Sequence, residues 1–96
     1  MKKAQIIEFL EENKWYPVVH PTDTEWETSQ QLNVILGETQ LEVDNDILDS
    51  KESILDYLRS CRLFPRNDSP EEEIEVSITL NQILSRIMWE IKKQYE

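Results

Sequence analysis

The sequence predicts an α+β domain in the order helix, short strand, β-hairpin, helix and long C-terminal helix. Two observations lead to this fold class. Residues 31–44 alternate apolar and polar side chains around the single glycine of the chain, whereas residues 2–14, 50–62 and 70–95 repeat apolar side chains at helical spacing. An all-α four-helix domain is the alternative, because the apolar residues of 31–44 also suit a helical stripe.

The chain begins with a predicted helix over residues 2–14, in which Ile6 and Leu10 lie on the apolar side. Pro17 requires this helix to end before it, because the residue preceding a proline avoids helical backbone angles. Residues 15–19 are then predicted to form a short strand at a sheet edge, since a proline cannot donate to a central ladder.

The hairpin is predicted over residues 31–44, with Gly37 and Glu38 as a two-residue type II′ turn. Pairing the strands about this turn places one apolar set on the face that would pack against the helices: Leu32, Val34, Leu36, Leu41 and Val43. A slip of one residue would destroy this sorting. The competing helix would hold Gly37 in its interior, at a cost of about 1 kcal/mol relative to alanine, which favours the hairpin.

A second helix is predicted over residues 50–62, where Asp49 or Ser50 can cap the start and Ile54 and Leu58 face inward. We predict no internal repeat, low-complexity tract or linker in the chain. Residues 1–96 are therefore treated as one acidic domain.

The clearest helix start in the chain is the run Ser69-Pro70-Glu71-Glu72-Glu73. A serine cap, a proline in the first helical position and three acidic residues at the positive end of the helix dipole are all typical of an N-terminus. The sequence thus predicts a continuous helix over residues 70–95. Strict apolar alternation over residues 73–79 leaves a strand there as the alternative.

Composition excludes several classes of protein. The chain has 96 residues with one cysteine, one histidine and one glycine. It therefore lacks the residues for a disulfide framework, a Cys/His zinc site or a glycine-rich phosphate loop. No apolar run reaches the roughly 18–20 residues that span a bilayer, and no signal peptide is visible. We expect a cytoplasmic protein, or one of the host cytoplasm if the chain comes from a phage.

No arrangement of residues in the sequence points to catalysis. A nucleophile–base pair of Cys61 and His20 would need an orienting group and an oxyanion hole, for which the sequence offers no pattern. The acidic run from Asp44 to Asp49 fails the ligand spacing of an EF-hand, which needs glycine at its sixth position. We therefore predict a protein with no catalytic residues, metal or cofactor, and a small carboxylate hydrolase is the weakest alternative.

Charge is the most informative feature of the sequence. Twenty acidic and ten basic residues give a formal net charge of −10, and residues 20–57 contain ten acids against one base. Such a surface repels nucleic acid but suits a basic partner protein, for example a nuclease or another nucleic-acid-binding protein. The predicted partner-binding residues surround the hairpin and its flanks: Glu38, Glu42, Asp44, Asp46, Asp49, Asp23, Glu25 and Glu27.

The predicted function is a non-enzymatic, protein-binding inhibitor whose acidic face imitates nucleic acid, as in phage proteins of the anti-restriction or anti-CRISPR kind. This comparison rests on size and charge alone. The alternative is an antitoxin, an immunity protein or an assembly chaperone that binds through an apolar groove or the C-terminal helix. Salt distinguishes the two, because screening weakens an electrostatic contact and leaves an apolar one.

Overall fold

The computed structural model describes residues 2–94, which form four helices and, within that range, no strand. Helix α1 spans Lys3–Glu12, α2 spans Asp23–Asp44, α3 spans Lys51–Ser60 and α4 spans Glu71–Gln94. The predicted α+β fold is therefore wrong, and the all-α four-helix alternative is correct.

Helix α2 takes the place of the predicted hairpin. Its inner side chains Leu32, Leu36 and Val43 follow a helical period, and none is more than 3% exposed. Two residues that the hairpin would have buried, Val34 and Leu41, are instead 57% and 61% exposed. The apolar residues of this segment fit both periods, and burial along one helical stripe decided between them.

The start of α2 explains why the helix forms despite the glycine in its interior. The backbone N–H of Glu25 donates to Thr22 Oγ1 (3.2 Å), and the N–H of Thr22 donates to Glu25 Oε1 (3.1 Å). This capping box satisfies two N–H groups that a helix start otherwise leaves unpaired. The Thr-x-x-Glu spacing that forms it is visible in the sequence.

The predicted strand over residues 15–19 is also absent. The backbone N–H and C=O of Trp15 bond to the side chain of Asn33, both at 2.8 Å, so they are not available to a neighbouring strand. Val18 and Val19 lie exposed in the loop that joins α1 to α2. At Trp15, a side chain from α2 takes the place of a neighbouring strand.

The other three helices are confirmed. Helices α1 and α3 lie within residues 2–14 and 50–62, and the Oγ of Ser50 accepts the N–H of Ser53 at 3.1 Å. Helix α4 runs without a break through 73–79, so the strand alternative there is wrong. It begins at Glu71, and the predicted end at residue 95 lies outside the described residues.

The chain contains an internal repeat of 48 residues, and the prediction of no repeat is wrong. Helices α1 and α3 match in length and position at this spacing, and α2 and α4 begin 48 residues apart. Twelve of the 48 aligned pairs are identical: Lys3/Lys51, Ile6/Ile54, Leu10/Leu58, Pro17/Pro65, Glu25/Glu73, Glu27/Glu75, Ser29/Ser77, Leu32/Leu80, Asn33/Asn81, Ile35/Ile83, Leu36/Leu84 and Glu42/Glu90. The fold is thus a helical hairpin that occurs twice.

One hydrophobic core joins the two hairpins. Helix α1 packs on α2, α3 packs on α4, and the long helices α2 and α4 pack against each other. Each buried residue of the first hairpin has a buried counterpart 48 positions later, as in Leu10/Leu58 and Leu36/Leu84. Both halves therefore fill the same core positions.

In each hairpin, an asparagine of the long helix forms hydrogen bonds to the backbone of the chain that follows the short helix. The Asn33 amide bonds both backbone groups of Trp15, and the Asn81 amide bonds both backbone groups of Leu63, at 2.9 and 2.7 Å. The two sets of bonds are equivalent in the repeat. They hold the chain after each short helix against the middle of the following long helix.

Candidate protein-binding surface

The eight acidic residues predicted to bind a partner do not form a single face. Six of them lie on α2 and two lie in the loop after it. Side chains two residues apart, such as Glu42 and Asp44, would share one face of a strand. On a helix they point about 200° apart. The acidic face expected around the hairpin is therefore not formed.

One group of carboxylates lies at the C-terminal end of α2. Asp44, Asp46 and Asp49 are exposed, and Asp46 adopts a left-handed backbone angle, with φ at 60°. Lys3 Nζ lies 3.1 Å from Asp46 Oδ1, so this charge already has a partner within the chain. The group is partly neutralised, which weakens it as a surface for a basic protein.

A second pair faces α3. The Tyr57 hydroxyl donates to Glu38 Oε2 at 3.2 Å, while Glu42 is half-buried and its Oε2 has no hydrogen-bond partner among the described residues. Burial of Tyr57, the nearby Glu42 charge and the bond to Glu38 together raise the pKa of Tyr57 to about 12. Glu42 therefore belongs to the contact between helices, and Glu38 remains accessible to a partner.

The third group, Asp23, Glu25 and Glu27, lies in the first turns of α2. Bonds from the backbone and side chain of Thr22 lower the pKa of Glu25 below its usual value, so Glu25 caps the helix. Glu25 lines a cleft together with Glu75 of α4. Two acidic segments that are distant in sequence therefore meet at one end of the molecule. The 48-residue repeat shows in the sequence that both helices begin with acidic residues.

A feature that the sequence reasoning missed lies on the solvent side of α2. At 100° per residue, six exposed side chains fall within about 40° of one line along the helix. We call this set the outer face of α2; it consists of Asp23, Glu27, Gln30, Val34, Glu38 and Leu41.

The outer face combines apolar and acidic groups. Val34 and Leu41 are large exposed apolar side chains, with carboxylates along the same line. Helix α2 contains six acidic residues and neither lysine nor arginine. An apolar centre within a polar rim is the usual anatomy of a protein–protein interface. A helical assignment of residues 31–44 would have placed Val34 and Leu41 here from the sequence.

The groups considered for catalysis and metal binding show no arrangement for either role. Burial raises the pKa of the Cys61 thiol, whereas an activated cysteine nucleophile has a lowered pKa. His20 lies exposed in the loop after α1. Within residues 2–94, no three His, Cys, Asp or Glu side chains are grouped to hold a metal ion. None of the four described helices is long and apolar enough to cross a membrane.

Comparisons of this chain with protein-family models, with curated proteins and with solved structures give no match.

Proposed function

We propose that this protein is a non-enzymatic inhibitor that binds a basic partner protein through the outer face of α2. The observation that carries the proposal is the exposure of Val34 and Leu41 among carboxylates, on a helix without a single basic residue. Apolar side chains supply contact area that excludes water, and the carboxylates select a cationic partner and accelerate its approach.

The proposed partner is a protein that itself binds nucleic acid, such as a restriction or CRISPR nuclease. Basic grooves that accept phosphates also attract carboxylates, whereas nucleic acid would be repelled by a net charge of −10. The mechanism is competition, in which the acidic helix occupies the groove and prevents the nucleic acid from entering.

A second candidate function is an immunity, antitoxin or assembly protein that uses the same face. The exposed apolar pair of Val34 and Leu41 favours it, because apolar contact alone can hold a partner whose charge is modest. Under this alternative, affinity would depend on these two residues and change little with salt.

Charge reversal on α2 tests the proposal. The triple variant Asp23→Lys, Glu27→Lys and Glu38→Lys changes only exposed side chains of the outer face. Purified wild type and variant would be titrated into DNA-cleavage assays with a panel of restriction and CRISPR nucleases at low and high salt. We expect wild type to inhibit at least one nuclease, with potency that falls as salt rises. The triple variant should be at least about tenfold weaker.

The matched control is Glu8→Lys, Glu12→Lys and Asp68→Lys, which makes the same charge change at exposed positions outside α2. Control and wild type should inhibit within about twofold of each other. Inhibition that survives reversal on α2, or falls equally with the control, contradicts a specific role for this helix. Failure to inhibit any nuclease in the panel counts against the proposed partner class.

A further inference from the structure

We infer that the outer face of α2 binds a basic, amphipathic α-helix of its partner, laid lengthwise along α2. This inference rests on the proposed function and specifies the secondary structure of the element that is bound. It follows from the spacing of the apolar residues, the state of the α2 backbone and the distribution of charge.

The apolar residues form a stripe rather than a pocket. Val34 and Leu41 are seven residues apart, so they lie on nearly the same line and about 10.5 Å from each other along the axis. A partner helix repeats its own apolar positions every seven residues, which gives the same distance. Asp23 to Leu41 covers about 27 Å, which matches a partner helix of about 18 residues.

The backbone of α2 disfavours an extended partner on this face. Its N–H and C=O groups are already bonded within the helix, so a strand lying across Val34 and Leu41 would find no ladder to join. Burying the unpaired backbone of such a strand would be costly. A helix satisfies its own backbone and brings only side chains to the contact.

The charge on this face selects the partner. Asp23, Glu27 and Glu38 accompany the apolar stripe, and α2 supplies no cation to balance them. In a two-fold symmetric contact between two copies of this chain, the same carboxylates would face one another without compensation. Lysine or arginine on the flanks of a partner helix would instead be complementary.

The repeat provides an internal reference for this assignment. The positions of α4 that correspond to Val34, Glu38 and Leu41 are occupied by Gln82, Arg86 and Trp89. The equivalent face of α4 also has two large exposed apolar residues, Ile78 and Trp89, but they are eleven residues apart and Arg86 lies between them where α2 has Glu38. Of these two long helices, α2 is the one that has its exposed apolar pair at a spacing of seven residues and no cation of its own beside it.

The test uses the intact protein and two synthetic peptides of about 20 residues, with leucine at a and d positions and either lysine or glutamate at e and g. Titration calorimetry gives the affinity, and NMR amide shifts of the labelled protein give the site. We expect the lysine peptide to bind and to shift α2 amides around Val34 and Leu41. The glutamate peptide should bind at least about tenfold more weakly.

Two sets of variants measure separately how much the apolar stripe and the carboxylates contribute to peptide binding. The double variant Val34→Gln with Leu41→Gln should bind the lysine peptide about tenfold or more weakly than wild type. Trp89→Gln, at the position equivalent to Leu41, should change the affinity for this peptide by less than about twofold. Circular dichroism and urea unfolding establish that each variant is folded. Glu27→Gln with Glu38→Gln should reduce both the affinity and its dependence on salt.

The outcomes distinguish this inference from the proposed function. If the charge variants weaken binding but Val34→Gln with Leu41→Gln does not, the proposal of a basic partner is supported and the inference of a docked helix is wrong. If the apolar variants weaken binding and the charge variants do not, the inference of a docked helix is supported and the proposal of a basic partner is wrong. Amide shifts confined to α4, equal affinity for both peptides, or dimers of the free protein that bury α2 overturn the inference.

Discussion

Residues 1–48 and residues 49–96 build the same helical hairpin with different surfaces. The first half contains ten acidic and three basic residues, for a net charge of −7, and the second contains ten acidic and seven basic residues, for −3. Ile6, Leu10, Leu32 and Leu36 recur unchanged at the equivalent positions of the second half. Close-packed cores tolerate few changes in volume, while exposed positions change at little cost in stability.

This comparison teaches where to look for function. Core identity between the halves reflects one shared architecture, so it carries no information about a partner. The differences at exposed positions, above all Glu38 against Arg86 and Val34 against Gln82, distinguish the outer face of α2 from its equivalent on α4. The first two predictions test how alike the halves are, the next two test positions where they differ, and the last tests the helical conformation that creates the outer face.

The largest effect is expected in the shared core. Leu36 and Leu84 are both fully buried at equivalent positions. Leu36→Ala and Leu84→Ala should each lower the free energy of unfolding by about 3 kcal/mol, from lost burial and the cavity that remains. Urea denaturation followed by circular dichroism measures this. A large loss in one half with almost none in the other would break the equivalence of the two hairpins.

The next largest effect is expected from the hydrogen bonds that Asn33 and Asn81 make to the backbone. Asn33→Ala leaves the N–H and C=O of Trp15 without their partner, and Asn81→Ala does the same to Leu63. Each should cost about 2 kcal/mol, because unsatisfied backbone groups are expensive. Asn67→Ala in an exposed loop is the control and should have almost no effect. If all three variants lose almost no free energy of unfolding, the Asn33 and Asn81 hydrogen bonds do not stabilise the fold.

An alkaline titration tests a place where the halves differ by one hydroxyl. Tyr57 occupies the position equivalent to Phe9, and its pKa is raised to about 12 from an ordinary 10. The folded state favours the neutral phenol, so this stability is present below pH 10 and is lost as the pH rises from 10 to 12.

Tyr57→Phe should remove that part of the pH dependence, an effect of about 1 kcal/mol between pH 10 and 12. Unfolding of wild type and variant would be compared at several pH values in this range. Parallel pH profiles for the two proteins would show that the Tyr57 hydroxyl does not couple to folding.

Gly37 and Ser85 occupy equivalent positions with different roles. Only Lys14 Nζ, at 4.0 Å, would meet a side chain added at Gly37, whereas Ser85 Oγ accepts a hydrogen bond from Arg62 at 2.6 Å. Gly37→Ala should raise the free energy of unfolding by about 0.5–1 kcal/mol through helix propensity. Ser85→Ala should change it by less than about 0.5 kcal/mol, because the lost bond offsets the gain in propensity. A destabilising Gly37→Ala would indicate that the helix needs glycine there.

The smallest change is expected at Val34. The hairpin would have made Val34→Asp an unfolding substitution, whereas on the exposed face of α2 it should alter stability by no more than about 0.5 kcal/mol. Val43→Asp, at a buried position of the same helix, provides the contrast and should unfold the protein. Thermal melts of both variants are sufficient, and an unfolded Val34→Asp protein would contradict the helical assignment of residues 31–44.

Parts of the fold could be predicted because local signals agreed with one another. For α3, the cap at Ser50 and the helical spacing of Ile54 and Leu58 both indicated a helix, which the structure confirms. For α2, the alternation around Gly37 conflicted with the helical stripe of Leu32, Leu36 and Val43. A glycine penalty of about 1 kcal/mol is small for a 22-residue helix that begins with a capping box at Thr22 and keeps one buried stripe from Thr28 to Val43.

The sequence showed which residues of the candidate site are acidic, but not which of them are accessible to a partner. Sequence counting located the acidic segment correctly on the residues that form α2 and the following loop. It could not separate the accessible Glu38 from the half-buried Glu42, because this depends on how α3 lies against α2. The exposed pair Val34 and Leu41 was assigned to the core because a strand period places it on the inner face.

The residues alone establish the acidic charge and the lack of side chains for a disulfide framework, a Cys/His zinc site or a glycine-rich phosphate loop. They also predict the three helices whose local signals agree, and they contain the 48-residue repeat. The tertiary structure decided the conformation of residues 31–44 and the side of α2 that faces solvent. The physical reason is that both periods were open to that segment in isolation. Burial against α4, which lies more than twenty residues away in the chain, stabilises only the helical one.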